Sequence, residues 1–75
     1  MNVFKRTFSA AEFNFRPIKE GNDLVFTISV ESHQFKMITN NKGAWYIWQQ
    51  VPHWIKELEP QLNSAIEEQL QSAVL

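Results

Sequence analysis

The segment Leu24–Glu31, LVFTISVE, places an apolar side chain at every second position. One row holds Leu24, Phe26, Ile28 and Val30, and the other holds Val25, Thr27, Ser29 and Glu31. Successive side chains of a strand point to opposite faces of a sheet, so this pattern is typical of an antiparallel strand with one buried face. The segment therefore predicts an antiparallel sheet with an apolar face and a mostly polar face.

The turn cluster Glu20–Asp23 separates this strand from a second alternating segment, Glu12–Lys19. A four-residue loop at the cluster would pair Phe15 with Ile28 and bring large apolar side chains together on one face. Pro17 cannot donate a hydrogen bond to a neighbouring strand, so we expect Glu12–Lys19 to lie at the edge of the sheet.

The second turn, at residues 32–33, has weaker turn chemistry. A two-residue loop there would pair Val30 with Phe35, and directly opposed residues share a face of the sheet. The register of this hairpin therefore also places large apolar residues together.

The third turn contains Gly43. Glycine as the last residue of a three-residue loop favours a left-handed bulge, which would place Trp45 and Ile47 in the core. A two- or four-residue loop would instead bury Tyr46 and Trp48. The three-residue loop is the interpretation that we prefer.

The segment from Val51 to the C-terminus has apolar residues at helical spacing along one side, which predicts an amphipathic helix. Pro52 suits the first position of a helix. Pro60 lies within the periodic stretch and removes one backbone hydrogen bond. We therefore expect either one bent helix or two short helices joined near Pro60.

These elements predict an α+β fold, a four-stranded antiparallel meander with a C-terminal helix, bent or broken near Pro60, packed on one face. Residues 12–75 would form a single ββββα domain, and residues 1–11 would form an N-terminal arm that is irregular or adds an edge strand. The predicted core consists of Phe13, Phe15, Leu24, Phe26, Ile28, Val30, Phe35, Met37, Trp45 and Ile47 from the sheet and Ile55, Leu58, Leu62, Ile66 and Leu70 from the helix.

The composition sets limits on function. The 75 residues fit one domain and include six Phe, three Trp and one Tyr, which suffice to fill a small core. The absence of cysteine excludes disulfides and thiolate metal sites, and a net charge of −1 provides no field for anionic partners. No apolar run is long enough to span a membrane and no secretory signal is visible, so the expected location is cytoplasmic and no membrane partner is expected.

No motif for catalysis or cofactor binding is present. His33 and His53 are twenty positions apart, with no spacing typical of metal ligands. The serines lack a nucleophile-elbow motif, and Gly21 and Gly43 are isolated turn residues. We therefore predict no catalytic, metal, cofactor or small-molecule site, and we expect that the chain is not an enzyme.

The outer sheet face is more apolar than a face in water requires. The candidate interface residues are Tyr46, Trp48, Ile38, Val25 and Ile18. They favour a small noncatalytic protein-interaction module that self-associates as a homodimer or binds another protein. Trp54, off the helical stripe, could brace the sheet corner or form a second contact.

Two alternatives remain. Tyr46 and Trp48 near Arg16 and Lys36 could stack the bases of a single-stranded nucleic acid, although the overall acidity makes nucleic acid an unlikely partner. An uncharacterised enzyme would need a pocket that brings a histidine and a carboxylate together.

Overall fold

The computed structural model describes the backbone of residues 3–74 and the side chains of residues 3–71. It has an α+β fold in which a curled antiparallel sheet precedes the helices. The elements are β1 (Phe4–Phe8), β2 (Ala11–Glu20), β3 (Asp23–Val30), β4 (His33–Thr39), β5 (Trp45–Ile47), α1 (His53–Lys56) and α2 (Glu59–Val74). The five strands lie in sequence order and form a meander.

The sheet has five strands and not the four that we predicted, because Phe4–Phe8 forms an edge strand against β2. The two strands are joined by Ser9 and Ala10, which both have a positive φ, of 51° and 62°. Such a turn normally contains Asn-Gly or Asp-Gly, and the left-handed conformation costs other residues roughly 1–2 kcal/mol each. The sequence therefore lacks the usual signal for this hairpin.

β1 covers one edge of β2, so β2 is not the edge strand that Pro17 suggested. The paired part of β1 begins at Phe4, opposite Phe15, so Pro17 lies beyond the β1–β2 ladder. The edge position predicted from Pro17 is therefore correct for Pro17 itself. It is wrong for the part of β2 from Ala11 to Phe15, which pairs with β1.

Two of the three predicted hairpin registers are confirmed. Phe15 pairs with Ile28, although the strands extend to Glu20 and Asp23 and leave a shorter loop than we expected. Met37 pairs with Ile47, and Gly43 has a φ of 81° in the predicted three-residue loop.

The predicted register of the second hairpin was wrong by two residues. Val30 pairs with His33 rather than Phe35, and the loop contains Glu31, which has a φ of 53°. Glutamate at a positive φ gives no recognisable turn signal. A shift of two residues keeps every side chain on its predicted face, since strand side chains alternate with a period of two.

A single buried cluster combines residues of the sheet with residues of both helices. Its buried members are Phe4, Ala11, Phe13, Phe15, Phe26, Ile28, Val30, Phe35, Met37, Trp45, Ile47, Ile55, Leu58, Leu62, Ala65 and Ile66. Of the predicted core residues, Leu24 and Leu70 are only half-buried but pack against this cluster. Phe4 and Ala11 are also buried in the core, because β1 pairs with β2 and extends the inner face of the sheet.

Four aromatic rings connect the first strand to the last across the inner face. Phe4 stacks on Phe15 at a centroid distance of 4.5 Å and meets the edge of Phe26 at 6.0 Å. Phe26 in turn meets Trp45 of β5 at 5.1 Å, nearly perpendicular to it. Edge-on and stacked arrangements are the favourable geometries for aromatic pairs, so this chain of rings stabilises the curled sheet.

The C-terminal region forms two helices, one of the two alternatives that Pro60 left open. Pro60 is the second residue of α2, where the missing N–H has no partner within the helix in any case. The Leu58 carbonyl accepts the first hydrogen bond of α2, from the Leu62 N–H at 2.9 Å. In the part of the chain that the structure describes, neither helix has the length and apolarity for a membrane span.

Side chains of α2 pair with the open edge of β5. The Trp45 N–H donates to Asn63 Oδ1 at 2.8 Å, and the Ile47 N–H donates to Glu59 Oε2 at 2.7 Å. Residues four apart share one side of a helix, and residues two apart in a strand send their N–H groups to the same edge. The amide oxygen of Asn63 and the carboxylate oxygen of Glu59 therefore accept hydrogen bonds that a sixth strand would otherwise accept.

Candidate functional site

The outer face of the sheet carries an apolar row that crosses four strands. Ile18 of β2 pairs with Val25 of β3, and Ile38 of β4 pairs with Tyr46 of β5. Trp48 follows β5, and its N–H donates to the Lys36 carbonyl at 2.9 Å, so its side chain lies on the same face as Tyr46. All five predicted interface residues therefore share one face.

The five candidate interface residues differ in the fraction of each residue that is exposed to solvent. Trp48 is 60 % exposed, and Ile18 and Tyr46 are 37 % and 36 % exposed. We predicted Val25 as an exposed member of the surface, but it is only 4 % exposed. Val25 occupies the centre of the row, where its neighbours cover it, and it forms the floor of the patch rather than a contact on its rim.

The Lys36 side chain lies over one face of the Trp48 ring. Its Nζ lies 5.5 Å from the centroid of the Trp48 ring and donates to Glu20 Oε2 at 2.9 Å. A cation over an indole face is attracted by the negative charge density of the ring. Next to this contact is a surface hollow of about 360 Å³, lined by Val25, Ile38 and Trp48 among others.

The four residues considered for nucleic-acid stacking lie on the same outer face. Arg16 pairs with Thr27, which also pairs with Lys36, and this places both cations in the row next to Tyr46. Lys36 is neutralised by Glu20, however, whereas Arg16 is exposed. The positive potential along this face is therefore small, and base stacking would depend mainly on the two aromatic rings.

Among the described residues, neither histidine belongs to a group of three side chains that could bind a metal ion. His33 is half-buried at the core rim, with its ring 6.2 Å from that of Trp54, and His53 pairs with Glu57 on the exposed side of α1. Among the described residues, no three His, Asp or Glu side chains are placed to hold a metal ion.

Trp54 braces the corner between the sheet and the helices. It is half-buried and meets the ring of Phe13 at a centroid distance of 6.2 Å. It also packs against the core cluster. Of the two roles considered for Trp54, these contacts favour the bracing role.

Two features of the structure had no counterpart in the sequence reasoning. The first is the pairing of Asn63 and Glu59 with the β5 edge. The only available signal was the spacing of two polar residues four apart on a helix that follows a short strand. The second is a groove between β1 and α2, which depends on a strand that the sequence offered only as an alternative to an irregular arm.

No protein-family model matches the chain, and no curated protein or solved structure shows significant similarity to it.

Proposed function

We propose that this chain is a small noncatalytic interaction module whose copies associate as a homodimer through the outer sheet face. The observation that supports this most is Trp48, a large aromatic side chain that is 60 % exposed at the end of an apolar row. Tryptophan and tyrosine are the residues that most often contribute strongly to protein–protein binding. Contiguous apolar surface on a small domain is typical of an interface.

The other face of the sheet shares its buried residues with the helices. The buried cluster joins inner-face residues such as Phe26 and Met37 to Leu62 and Ile66 of α2. We infer from these shared contacts that the helices pack across the inner face. The outer face is then the broad sheet surface that a second molecule can reach.

The hollow beside Trp48 gives the proposed dimer a symmetric geometry. In a two-fold interface each residue contacts the same patch on the partner, so one bulky side chain and one hollow on each copy are sufficient. Trp48 of each copy would pack over the hollow of the other, whose volume is about 360 Å³. Val25 at its floor supplies an apolar surface that is already desolvated.

The expected affinity is modest. Covering the exposed 60 % of one Trp side chain removes about 120 Å² from water and contributes about 3 kcal/mol, so two symmetric copies contribute about 6 kcal/mol. Tyr46 and Ile18 add smaller amounts. Association costs about 4–15 kcal/mol in lost freedom of motion, which over most of that range exceeds the contribution of the two Trp48 side chains, so the rest of the outer face must supply the difference and the dimer is weak.

The alternatives have less support. Single-stranded nucleic acid would need cations that are free to meet phosphates, but Lys36 is bound to Glu20 and lies over Trp48. That the chain is no enzyme and that it is cytoplasmic stay predictions from the sequence.

The oligomeric state tests the proposal. We expect the wild type to be a dimer by sedimentation velocity at high micromolar concentration. Trp48→Lys should shift it to a monomer, since a charge buried in an apolar interface is costly to desolvate. Glu67→Lys, an exposed change on α2, is the matched control and should leave the dimer unchanged. A wild type that remains monomeric throughout this range contradicts the proposal, and so does a Trp48→Lys variant that dimerises as the wild type does.

A further inference from the structure

The two edges of the curled sheet meet α2 in different ways. At the β5 edge, two strand N–H groups donate to side chains of α2 at 2.7 and 2.8 Å. At the β1 edge, the only side-chain hydrogen bond to α2 among the described residues is from Arg6 Nη2 to Gln69 Oε1, at 3.5 Å. The β1 side is therefore the open side of the molecule.

The backbone of β1 has unpaired groups on this side. A two-residue hairpin closes on a hydrogen-bonded pair, here Phe8 and Ala11. The alternation of an antiparallel ladder then turns the backbone groups of Thr7 and Lys5 away from β2, toward the open edge. Among the described side chains, Arg6 donates a local hydrogen bond to the Lys5 carbonyl there, from Nη1 at 2.8 Å.

A groove of about 390 Å³ runs beside this edge, between β1 and α2. Its apolar surface comes from Phe8, Pro60 and Ala65, and Arg6 lies farther along the same wall. The side chains of Phe8 and Arg6 share the inner face of the sheet with the groove. A strand added to β1 would therefore direct every second side chain into it.

We propose that an extended peptide segment binds by adding a strand to the β1 edge, with one apolar and one acidic side chain, two residues apart, directed into the groove. The apolar side chain would contact Phe8, and the acidic side chain would lie beside Arg6. This is a different surface from the outer face, and the proposal does not depend on self-association. Strand addition beside a helix supplies main-chain hydrogen bonds for affinity and side-chain pockets for specificity.

The positive charges of β1 favour an acidic peptide over a basic one. Lys5 and Arg6 are the charged residues of β1, and both are cations. The ion pairs among the described side chains include Lys5 with Glu12 but none with Arg6. Glu68 of α2 also lines the groove, but a residue of an added strand would lie directly next to Arg6 in the sheet, and opposite charges on neighbouring strands attract. In the register that pairs Thr7 of one copy with Lys5 of another, Arg6 would oppose Arg6, which disfavours a second copy of β1 as the occupant.

Two capped peptides test this proposal. The first is Thr-Leu-Thr-Glu-Thr, and the second replaces its glutamate with lysine. Titration into the wild type, followed by NMR shifts of the Lys5, Thr7 and Ala65 amides, should show millimolar binding of the acidic peptide. The lysine peptide should bind about threefold to tenfold more weakly, since it exchanges an attractive cross-strand pair for a repulsive one.

Two further comparisons separate strand addition from general charge attraction. Arg6→Gln should remove the preference for the acidic peptide, and a melting curve checks that this variant is folded. Methylating the nitrogen of the central threonine of the acidic peptide, the residue that opposes Thr7, should abolish binding to the wild type, since an added strand needs that N–H. The proposal is overturned if no peptide shifts the β1 amides, if the methylated peptide binds equally well, or if the preference persists in folded Arg6→Gln.

Discussion

Phe26→Ala is expected to lower the free energy of unfolding by about 3–5 kcal/mol, the usual cost of removing a fully buried Phe ring. Phe26 is completely buried and contacts Phe4 on one side and Trp45 on the other. A domain of 75 residues has a total stability of roughly 4–11 kcal/mol. The variant should therefore lose a large fraction of the stability of the domain.

Urea denaturation followed by tryptophan fluorescence measures this loss. Phe26→Leu keeps most of the volume and should lose much less stability. Phe8→Ala is the matched control, because Phe8 is only half-buried at the rim and contacts one ring, that of Phe13. If Phe26→Ala loses no more stability than Phe8→Ala, the rings do not connect the first and last strands in the way that we describe.

Glu59→Ala is expected to destabilise the protein by about 1.5–3 kcal/mol, because the Ile47 N–H loses a charged acceptor and is left without a partner. Asn63→Ala removes a neutral acceptor from the Trp45 N–H and should cost about 1 kcal/mol. The Lys56 side chain that pairs with Glu59 is largely exposed, so this ion pair contributes little to the difference. Glu59→Gln keeps an acceptor oxygen and should lose less than Glu59→Ala.

Amide hydrogen exchange locates this effect. In Glu59→Ala the Ile47 amide should exchange faster than in the wild type, while amides in the middle of the sheet follow only the change in global stability. Glu67→Ala changes an exposed carboxylate on the same helix and should leave the Ile47 amide unaffected. Equal exchange of Ile47 in Glu59→Ala and wild type would show that α2 does not protect the β5 edge. Loss of that protection also exposes a strand edge, so aggregation should increase in Glu59→Ala.

The sequence predicted those parts of the fold in which local turn chemistry and side-chain alternation agree. Gly43 placed Trp45 in the core because few other residues adopt its backbone conformation readily. The hairpins at Ser9 and Glu31 use residues that tolerate a positive φ poorly, so no turn signal marked them. For this reason the strand within residues 1–11 was predicted only as one of two alternatives, and one register was shifted.

The sequence predicted which residues form the candidate surface, but it did not predict how deeply each side chain is buried. Alternation assigned Ile18, Val25 and Ile38 to the outer face, where the structure places them. The burial of Val25 depends on neighbours from two other strands, and no periodicity within one strand reveals it. The contacts of Glu59 and the groove beside Phe8 likewise arise from the three-dimensional arrangement of the helix and the strands.

The absence of cysteine makes a direct test of the proposed dimer possible, because a single introduced cysteine can carry a spin label. Gln34 is exposed on the outer face, and Gln71 is exposed on α2. Labels at Gln34→Cys should show intermolecular dipolar coupling at high micromolar concentration, which is lost on dilution with unlabelled protein and in a Trp48→Lys background. Labels at Gln71→Cys should show weaker coupling or none. Absence of coupling at Gln34→Cys, or stronger coupling at Gln71→Cys, would contradict association through the outer face.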